Sequence, residues 1–220
     1  MNPTTEAFRG SRSRRRRGIG LVAVSALVLV GVAAAPAVAK GAKIERSPRV
    51  QVEGKKLPAS DKVGSAADPA IGRTAPTLVG KGFNAKKVTI GGTGTPRIIL
   101  FLSHSCPHCQ REVPLIVDLA AAGVFDGVEV DTVTTNTSDQ LPNYPPSKWL
   151  AREKWPFGEV LLDDAKLRAF FGSGGQAFPY FIMVDSAGVV VARAEGELGK
   201  DVIRGAVANL VAGKPIFPTA

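Results

Sequence analysis

The stretch "RIILFLSHSCPHCQREVP", residues 97–114, contains both cysteines and both histidines of the 220-residue chain. Its first seven residues form a nearly continuous apolar run, which is the pattern of a strand buried on both faces of a sheet. A helix is predicted from Cys106 onward, because Val113, Ile116 and Leu119 are spaced for one buried face. We therefore expect both cysteines at the point where a central strand passes into a helix.

Three interpretations of this C-x-x-C pair follow from the residues. A structural disulfide would remove only roughly 2 kcal/mol of unfolded-state entropy and would join nothing beyond one helical turn. A metal site would draw on His104, Cys106, His108 and Cys109. Zinc sites normally combine two separated pairs of ligands, whereas Cu(I) accepts a lower coordination number. The third interpretation is a reversible dithiol that carries out redox chemistry.

The dithiol interpretation agrees best with the position of the pair. A helix N-terminus carries partial positive charge and free N–H groups, and both stabilise a thiolate. Cys106 lies at that end, so we expect it to be the exposed nucleophile. Cys109 lies one turn further along, and we expect it to attack the mixed disulfide that Cys106 forms with a partner.

From about Ala75 onward, short apolar runs alternate with stretches of helical periodicity. Helices between strands predict a central sheet with a helix layer on each face. The pattern also predicts a hairpin that turns at Ser186-Ala187-Gly188. The further predicted elements are strands at 127–136 and 159–164 and helices at 146–154, 165–172 and 200–213.

The N-terminal residues have the features of an export signal. Residues 9–17 carry six arginines, and the 22 residues from Gly18 to Ala39 contain no charge. As a helix, this apolar segment would be roughly 33 Å long, enough to cross a bilayer core. It is predicted to be a retained transmembrane anchor, or a signal peptide that is cleaved after Ala37-Val38-Ala39. In either case the rest of the chain is expected outside the cytoplasm.

These patterns predict four parts of the chain. They are a basic cytoplasmic leader (1–17), a transmembrane anchor or signal peptide (18–39), a flexible linker (40–73) and an α/β domain (74–220). The net charge is +9, but six arginines against Glu6 place +5 of it in residues 1–17. With aromatic residues at 6% and no nucleic-acid motif, a nucleic-acid partner is not expected.

Residues 74–220 resemble the thioredoxin fold, and in particular the membrane-anchored TlpA/ResA group of thiol–disulfide oxidoreductases. The resemblance is carried by "RIILFLSHSCPHC" (97–109), "CQREVP" (109–114), "FPYFIMVDSAG" (178–188) and the N-terminal apolar segment. It implies an α/β fold with a central mixed sheet and helices on both faces. It also implies redox chemistry at the cysteines, without a cofactor or a bound metal.

The resemblance assigns roles to individual residues. Cys106 and Cys109 match the redox-active disulfide, and Pro114 matches a proline that kinks the first helix. Pro179 matches the family's cis-proline, whose loop binds the substrate backbone through the preceding residue, here Phe178. Glu112 matches an acidic residue that tunes the thiols in the ResA branch.

Three positions depart from the family pattern. Ser105 stands where tryptophan commonly precedes the first cysteine, and Leu100 stands where cytosolic thioredoxins have a buried acid. The dipeptide Pro107-His108 is typical of oxidising, DsbA-type enzymes. We expect the His108 imidazole to stabilise the Cys106 thiolate and thereby to make the disulfide a stronger oxidant.

The sequence thus predicts an exported, membrane-tethered thiol–disulfide oxidoreductase, more in the manner of a TlpA-like reductase. A DsbA-like thiol oxidase and a non-enzymatic copper-binding or copper-delivery module are the alternatives. The expected partners are protein thiols or disulfides, a membrane or exported redox partner, and the bilayer through residues 18–39. The protein is expected to be a monomer.

Overall fold

The computed structural model describes residues 44–217. The predicted leader at 1–17 and the apolar segment at 18–39 lie outside these residues. Across the described range, no helix has both the length and the apolar character that crossing a bilayer requires.

An eight-stranded sheet and four helices make up the described part of the chain. The strands are β1 (Gln51–Glu53), β2 (Thr77–Lys81), β3 (Lys87–Ile90), β4 (Arg97–Leu102), β5 (Glu129–Thr134), β6 (Leu161–Leu162), β7 (Tyr180–Val184) and β8 (Val190–Glu195). The helices are α1 (Pro107–Ala121), α2 (Pro146–Arg152), α3 (Arg168–Gly172) and α4 (Gly199–Val211).

The strand order places the turn that holds the cysteines beside the loop that precedes β7. The order is β1-β2-β6-β5-β4-β7-β8, with β3 paired to β2 off this path. Strand β4 runs parallel to β5 and antiparallel to β7. Phe101 of β4 pairs with Tyr180 of β7, so the end of β4 that leads to the cysteines lies next to the start of β7.

Alternate side chains of β4 enter two apolar layers on opposite faces of the sheet. Leu100 and Leu102 pack in the layer that contains buried residues of α1, α2 and α4. Ile99 and Phe101 pack in the layer that contains α3 and residues before β2. The predicted strand buried on both faces and the mixed sheet with helices on both faces are therefore confirmed.

The prediction of a flexible linker at 40–73 is wrong for residues 47–73. Val50, Leu57 and Ala70 are buried in the apolar layer that also holds α3. Strand β1 pairs with β2, and residues 64–74 run along β8, where the Gly72 N–H donates to the Val190 carbonyl (2.9 Å). The buried side chains of this segment are single and far apart, so its apolar residues show no helix or strand periodicity. For this reason the sequence alone has the pattern of a flexible linker.

One predicted strand and the predicted helix after it are shorter than expected, because two adjacent aspartates hold the residues between the strand and the helix in a turn. The strand predicted at 159–164 is limited to β6, and the helix predicted at 165–172 begins at Arg168. The Asp163 carboxylate accepts the Ala169 N–H (2.9 Å), and the Asp164 carboxylate accepts the Lys166 N–H (2.9 Å). The Ala169 N–H, which a helix from residue 165 would have bonded to its own backbone, is thus satisfied by a side chain instead.

Candidate active site

The first helix begins directly after Cys106. Cys106 has extended backbone angles, and Pro107 occupies the first helical turn, where its missing N–H leaves no bond unmade. Strand β4 and helix α1 together therefore fix the predicted pair at a strand-to-helix junction. Pro114 lies inside α1, as the resemblance implies.

The two sulfur atoms have very different surroundings. Cys106 is half-buried, and its Sγ lies 3.8 Å from the Phe178 carbonyl oxygen, which can accept the thiol proton. Cys109 is buried, and its Sγ accepts the Ser103 N–H at 3.4 Å. Burial raises the pKa of the Cys109 thiol far above its ordinary value, and the Ser103 bond only partly opposes this shift. Cys106 is thus the sulfur that a partner can reach, and Cys109 is held behind it as a thiol.

The loop before β7 forms the wall opposite Cys106. The Phe178–Pro179 peptide bond is cis, the geometry that the resemblance implies. The Phe178 ring packs on Phe170 with ring centroids 4.4 Å apart. The Glu195 carboxylate accepts the Gln176 N–H at 2.8 Å, which holds the loop to the end of β8. The sequence placed Phe178 and Pro179 at this site but gave no sign of Glu195, which lies far from them along the chain.

The structure turns His108 away from the position expected for it. Its ring is well exposed, with 58% of the side chain accessible, and its Nδ1 lies 2.6 Å from the Glu197 carboxylate. Arg111 donates from Nε to the same carboxylate at 3.0 Å. In this structure the His108 Nδ1 is thus bonded to Glu197 rather than to Cys106, since a carboxylate is a stronger acceptor than a half-buried sulfur, and stabilisation of the Cys106 thiolate by His108 stays a prediction.

Glu112 is buried one helical turn after Cys109. One carboxylate oxygen accepts the Leu198 N–H at 3.0 Å. The other oxygen, Oε2, has no hydrogen-bond partner within residues 44–217. Burial raises the pKa of Glu112, and the backbone N–H groups of Leu198 and Gly199 oppose the shift. The charge of Glu112 in turn adds to the rise in the pKa of Cys109, so the acid acts on the buried sulfur.

His104 supports the site as part of the framework. It is fully buried, its Nδ1 donates to the Pro142 carbonyl at 2.6 Å and its Nε2 accepts the Ser138 N–H at 3.2 Å. Both ring nitrogens, the atoms that would bind a metal ion, are therefore occupied. Among the residues that the structure describes, no group of three or more Cys, His, Asp or Glu side chains is arranged to hold a metal ion.

Comparison with known proteins identifies the architecture. No family model matches the chain, and no curated protein matches it. Among solved structures, it is similar to the thioredoxin domain of a thiol-disulfide oxidoreductase from Bacteroides vulgatus, with 20% identity and a TM-score of 0.51 over 64% of this chain and 98% of that one.

Two further solved structures are similar to the chain. A thioredoxin-family thiol:disulfide interchange protein from Chlorobium tepidum has 23% identity and a TM-score of 0.50, over 63% of this chain and 95% of that one. A hypothetical protein from Sinorhizobium meliloti has 17% identity and a TM-score of 0.56, over 68% of this chain and 88% of that one. The chain therefore has the thioredoxin-like fold that these structures share.

Proposed function

We propose that this protein is a thiol–disulfide oxidoreductase whose Cys106 and Cys109 alternate between a dithiol and a disulfide. The observation that carries the proposal is the arrangement of three groups. Half-buried Cys106 starts a helix, the Phe178 carbonyl of a cis-proline loop lies 3.8 Å from its sulfur, and Cys109 is buried one turn behind. The thiol:disulfide interchange proteins of the same fold support the same chemistry.

In the reducing direction, the Cys106 thiolate attacks one sulfur of a substrate disulfide. The substrate S–S bond breaks, a Cys106–substrate disulfide forms, and the released substrate sulfur takes up a proton. Cys109 then loses its proton and attacks the Cys106 sulfur, which releases the second substrate thiol. The substrate gains two electrons and two protons, and the protein retains the Cys106–Cys109 disulfide. The oxidising direction is the reverse of these steps.

We propose the reducing direction as the main one. The Pro107-His108 dipeptide favours an oxidase only if His108 stabilises the Cys106 thiolate, and here its Nδ1 is engaged by Glu197. Burial raises the pKa of Cys109, and the charge of Glu112 adds to this shift, which disfavours a thiolate at that sulfur in the reduced protein. A protein whose reduced form is less stabilised is the better reductant.

The substrates are proposed to be protein thiols and disulfides outside the cytoplasm. This location rests on the six arginines before an uncharged 22-residue segment. We propose that residues 18–39 remain as a membrane anchor. Mass spectrometry of the mature N-terminus tests this, because an N-terminus at Lys40 would instead indicate a secreted, soluble protein.

Activity assays in both directions test the proposed function. We expect the wild-type protein to accelerate the reduction of insulin disulfides by dithiothreitol more than it accelerates the oxidation of reduced, unfolded ribonuclease. Cys106→Ser is expected to abolish both activities, whereas Cys109→Ser is expected to accumulate mixed disulfides at Cys106. Full activity in Cys106→Ser would refute the proposal.

The copper-binding alternative makes a different set of predictions. It requires stoichiometric Cu(I) binding that is lost in His104→Ala, together with an absence of insulin reduction. The hydrogen bonds that both His104 ring nitrogens form disfavour it, because binding a metal there would break a bond to the loop at 136–145.

A further inference from the structure

The short segment Glu195–Gly199, from the last residue of β8 to the first residue of α4, contacts both halves of the candidate active site. On one side, Glu195 holds the loop before Pro179 through the Gln176 N–H. On the other side, the Leu198 N–H donates to Glu112 of α1. Between these contacts, Glu197 extends its carboxylate to the first turns of α1. Because the segment is fixed on both sides, the Glu197 carboxylate is held in a defined place beside the first turns of α1.

Glu197 engages the two side chains of α1 that can carry positive charge nearest to Cys106. It accepts from His108 Nδ1 at 2.6 Å and from Arg111 Nε at 3.0 Å. These contacts lower the pKa of Glu197, with the Arg111 hydrogen bond as the main cause and the His108 bond next. The carboxylate therefore stays ionised across the physiological range.

Arg111 lies on α1 within the two helical turns that follow Cys106, on the same helix as His108. The Glu197 hydrogen bond is the main cause of the raised pKa of Arg111, and the charge of Cys106 adds to it. His108 is two residues after Cys106 in the first helical turn. Without their anionic partner, the Arg111 guanidinium and the His108 N–H would be free to donate to a Cys106 thiolate.

We propose that Glu197 is a positioning residue that keeps the protein reducing by holding His108 and Arg111 away from the Cys106 sulfur. A cation beside the thiolate stabilises the dithiol state relative to the disulfide and makes the disulfide a stronger oxidant. Glu197 removes that stabilisation in two ways. It engages the Arg111 guanidinium and the His108 N–H, and it places its own negative charge beside the first turns of α1. This inference rests on the proposed function, since it concerns the equilibrium of the same cysteine pair.

Equilibration with glutathione measures this effect directly. Two glutathione thiols supply two electrons and two protons, the Cys106–Cys109 bond breaks, and one S–S bond forms between the glutathione molecules. The ratio of dithiol to disulfide at a fixed glutathione buffer gives the equilibrium constant. The ratio is measured by trapping free thiols with an alkylating agent and determining the mass of the protein by mass spectrometry.

Glu197→Gln removes the charge while keeping the size of the side chain. We expect it to shift the equilibrium constant about two- to fivefold toward the dithiol, the range of a partly exposed ion pair. The shift should shrink as salt is added, because salt screens exposed charges. In the double variant Glu197→Gln, His108→Ala, the part of the shift due to His108 should disappear.

Asp118→Asn is the matched control. Like Glu197, Asp118 is a carboxylate in a pair that joins α1 to the C-terminal part of the domain; it lies on α1 and pairs with Lys200 of α4, with 2.9 Å between its Oδ2 and the Lys200 Nζ. It sits three turns further from Cys106, so removing its charge should leave the equilibrium constant unchanged. Unfolding curves of both variants serve as the check on folding.

The outcomes separate the inference from the proposed function. If the wild type shows no dithiol–disulfide transition in glutathione, the proposed function fails and the inference falls with it. If the wild type shows the transition but Glu197→Gln matches Asp118→Asn, or shifts toward the disulfide, only the inference is overturned.

Discussion

At the scale of single residues, two cysteines one helical turn apart differ in burial and therefore in their expected roles. Cys106 is reachable and lies at the helix N-terminus, while Cys109 is enclosed by the apolar layer of α1 and α4. Low dielectric surroundings penalise a thiolate, so the pKa of Cys109 is raised mainly by its burial. The same burial acts on the neighbouring acid, Glu112. Its ionisation is therefore linked to the stability of the fold.

Glu112→Gln is predicted to change the pH dependence of stability. Burial raises the folded-state pKa of Glu112 above its ordinary value of 4.5, so the wild-type fold favours the protonated acid. That contribution is fully present below pH 4.5 and is lost as the pH rises through the raised pKa. Glutamine does not titrate. The free energy of unfolding of the variant, relative to the wild type, should therefore increase with pH over this window.

Urea unfolding of both proteins between about pH 4 and pH 8, kept reduced with a phosphine, measures this difference. The control is Asp61→Asn, which removes a carboxylate that is exposed rather than buried. A constant difference between Glu112→Gln and wild type at every pH would contradict the assignment of a raised pKa to this residue.

At the scale of elements, the active site depends on a loop that the sequence did not connect to it. Residues 136–145, between β5 and α2, are attached to the cysteine turn by His104. The Asn143 side chain also donates to the His104 carbonyl at 3.3 Å, and the Tyr144 ring packs edge-on against the imidazole. A histidine next to two cysteines resembles a metal ligand in sequence, and only its contacts identify it as an anchor for the loop.

His104→Ala is predicted to release this loop. The change removes a fully buried ring and leaves the Pro142 carbonyl and the Ser138 N–H without partners. The loss in the free energy of unfolding should be about 2–4 kcal/mol. Limited proteolysis should cut the variant within 136–145 faster than the wild type. Gln140→Ala, an exposed change in the same loop, is the control, and equal cutting of all three proteins would contradict the anchoring role.

The strand and helix around Cys106 were predictable because the residues that specify each element are neighbours in the sequence. Strand β4 is a run of apolar residues, and α1 has a clear 3.6-residue period and a proline at its start. Glu197 was not predictable, because it lies 89 positions from His108 along the chain. Only the return of β8 beside β7, and of β7 beside β4, brings it to the site.

At the scale of the whole molecule, residues 47–73 complete the domain. They add β1 to one end of the sheet and cover part of β8 at the other. A buried ion pair joins this segment to β8, with Arg193 Nε donating to Asp68 at 2.7 Å and Arg193 Nη1 donating to the Tyr180 hydroxyl at 3.0 Å. The sequence predicted a flexible linker here, because an ion pair between residues so far apart produces no periodic pattern in the neighbouring sequence.

Asp68→Asn is predicted to destabilise the protein severely. Arg193 is fully buried, so removing the charge of its partner leaves an uncompensated cation in the interior. The expected loss in the free energy of unfolding is about 3–5 kcal/mol. Asp61→Asn is the matched control, because Asp61 pairs with Lys62 at the surface, with 84% of its side chain exposed. Similar urea midpoints for the two variants would contradict the structural role of the buried pair.

Equilibration of the wild-type protein in graded glutathione buffers tests the central claim most directly. After each equilibration, free thiols are alkylated and the number of alkylated cysteines is determined by mass spectrometry. We expect a single transition from protein with two alkylated cysteines to protein with none, and its loss in both Cys106→Ser and Cys109→Ser. Two alkylated cysteines at every buffer ratio, including the most oxidising, would contradict a reversible Cys106–Cys109 couple.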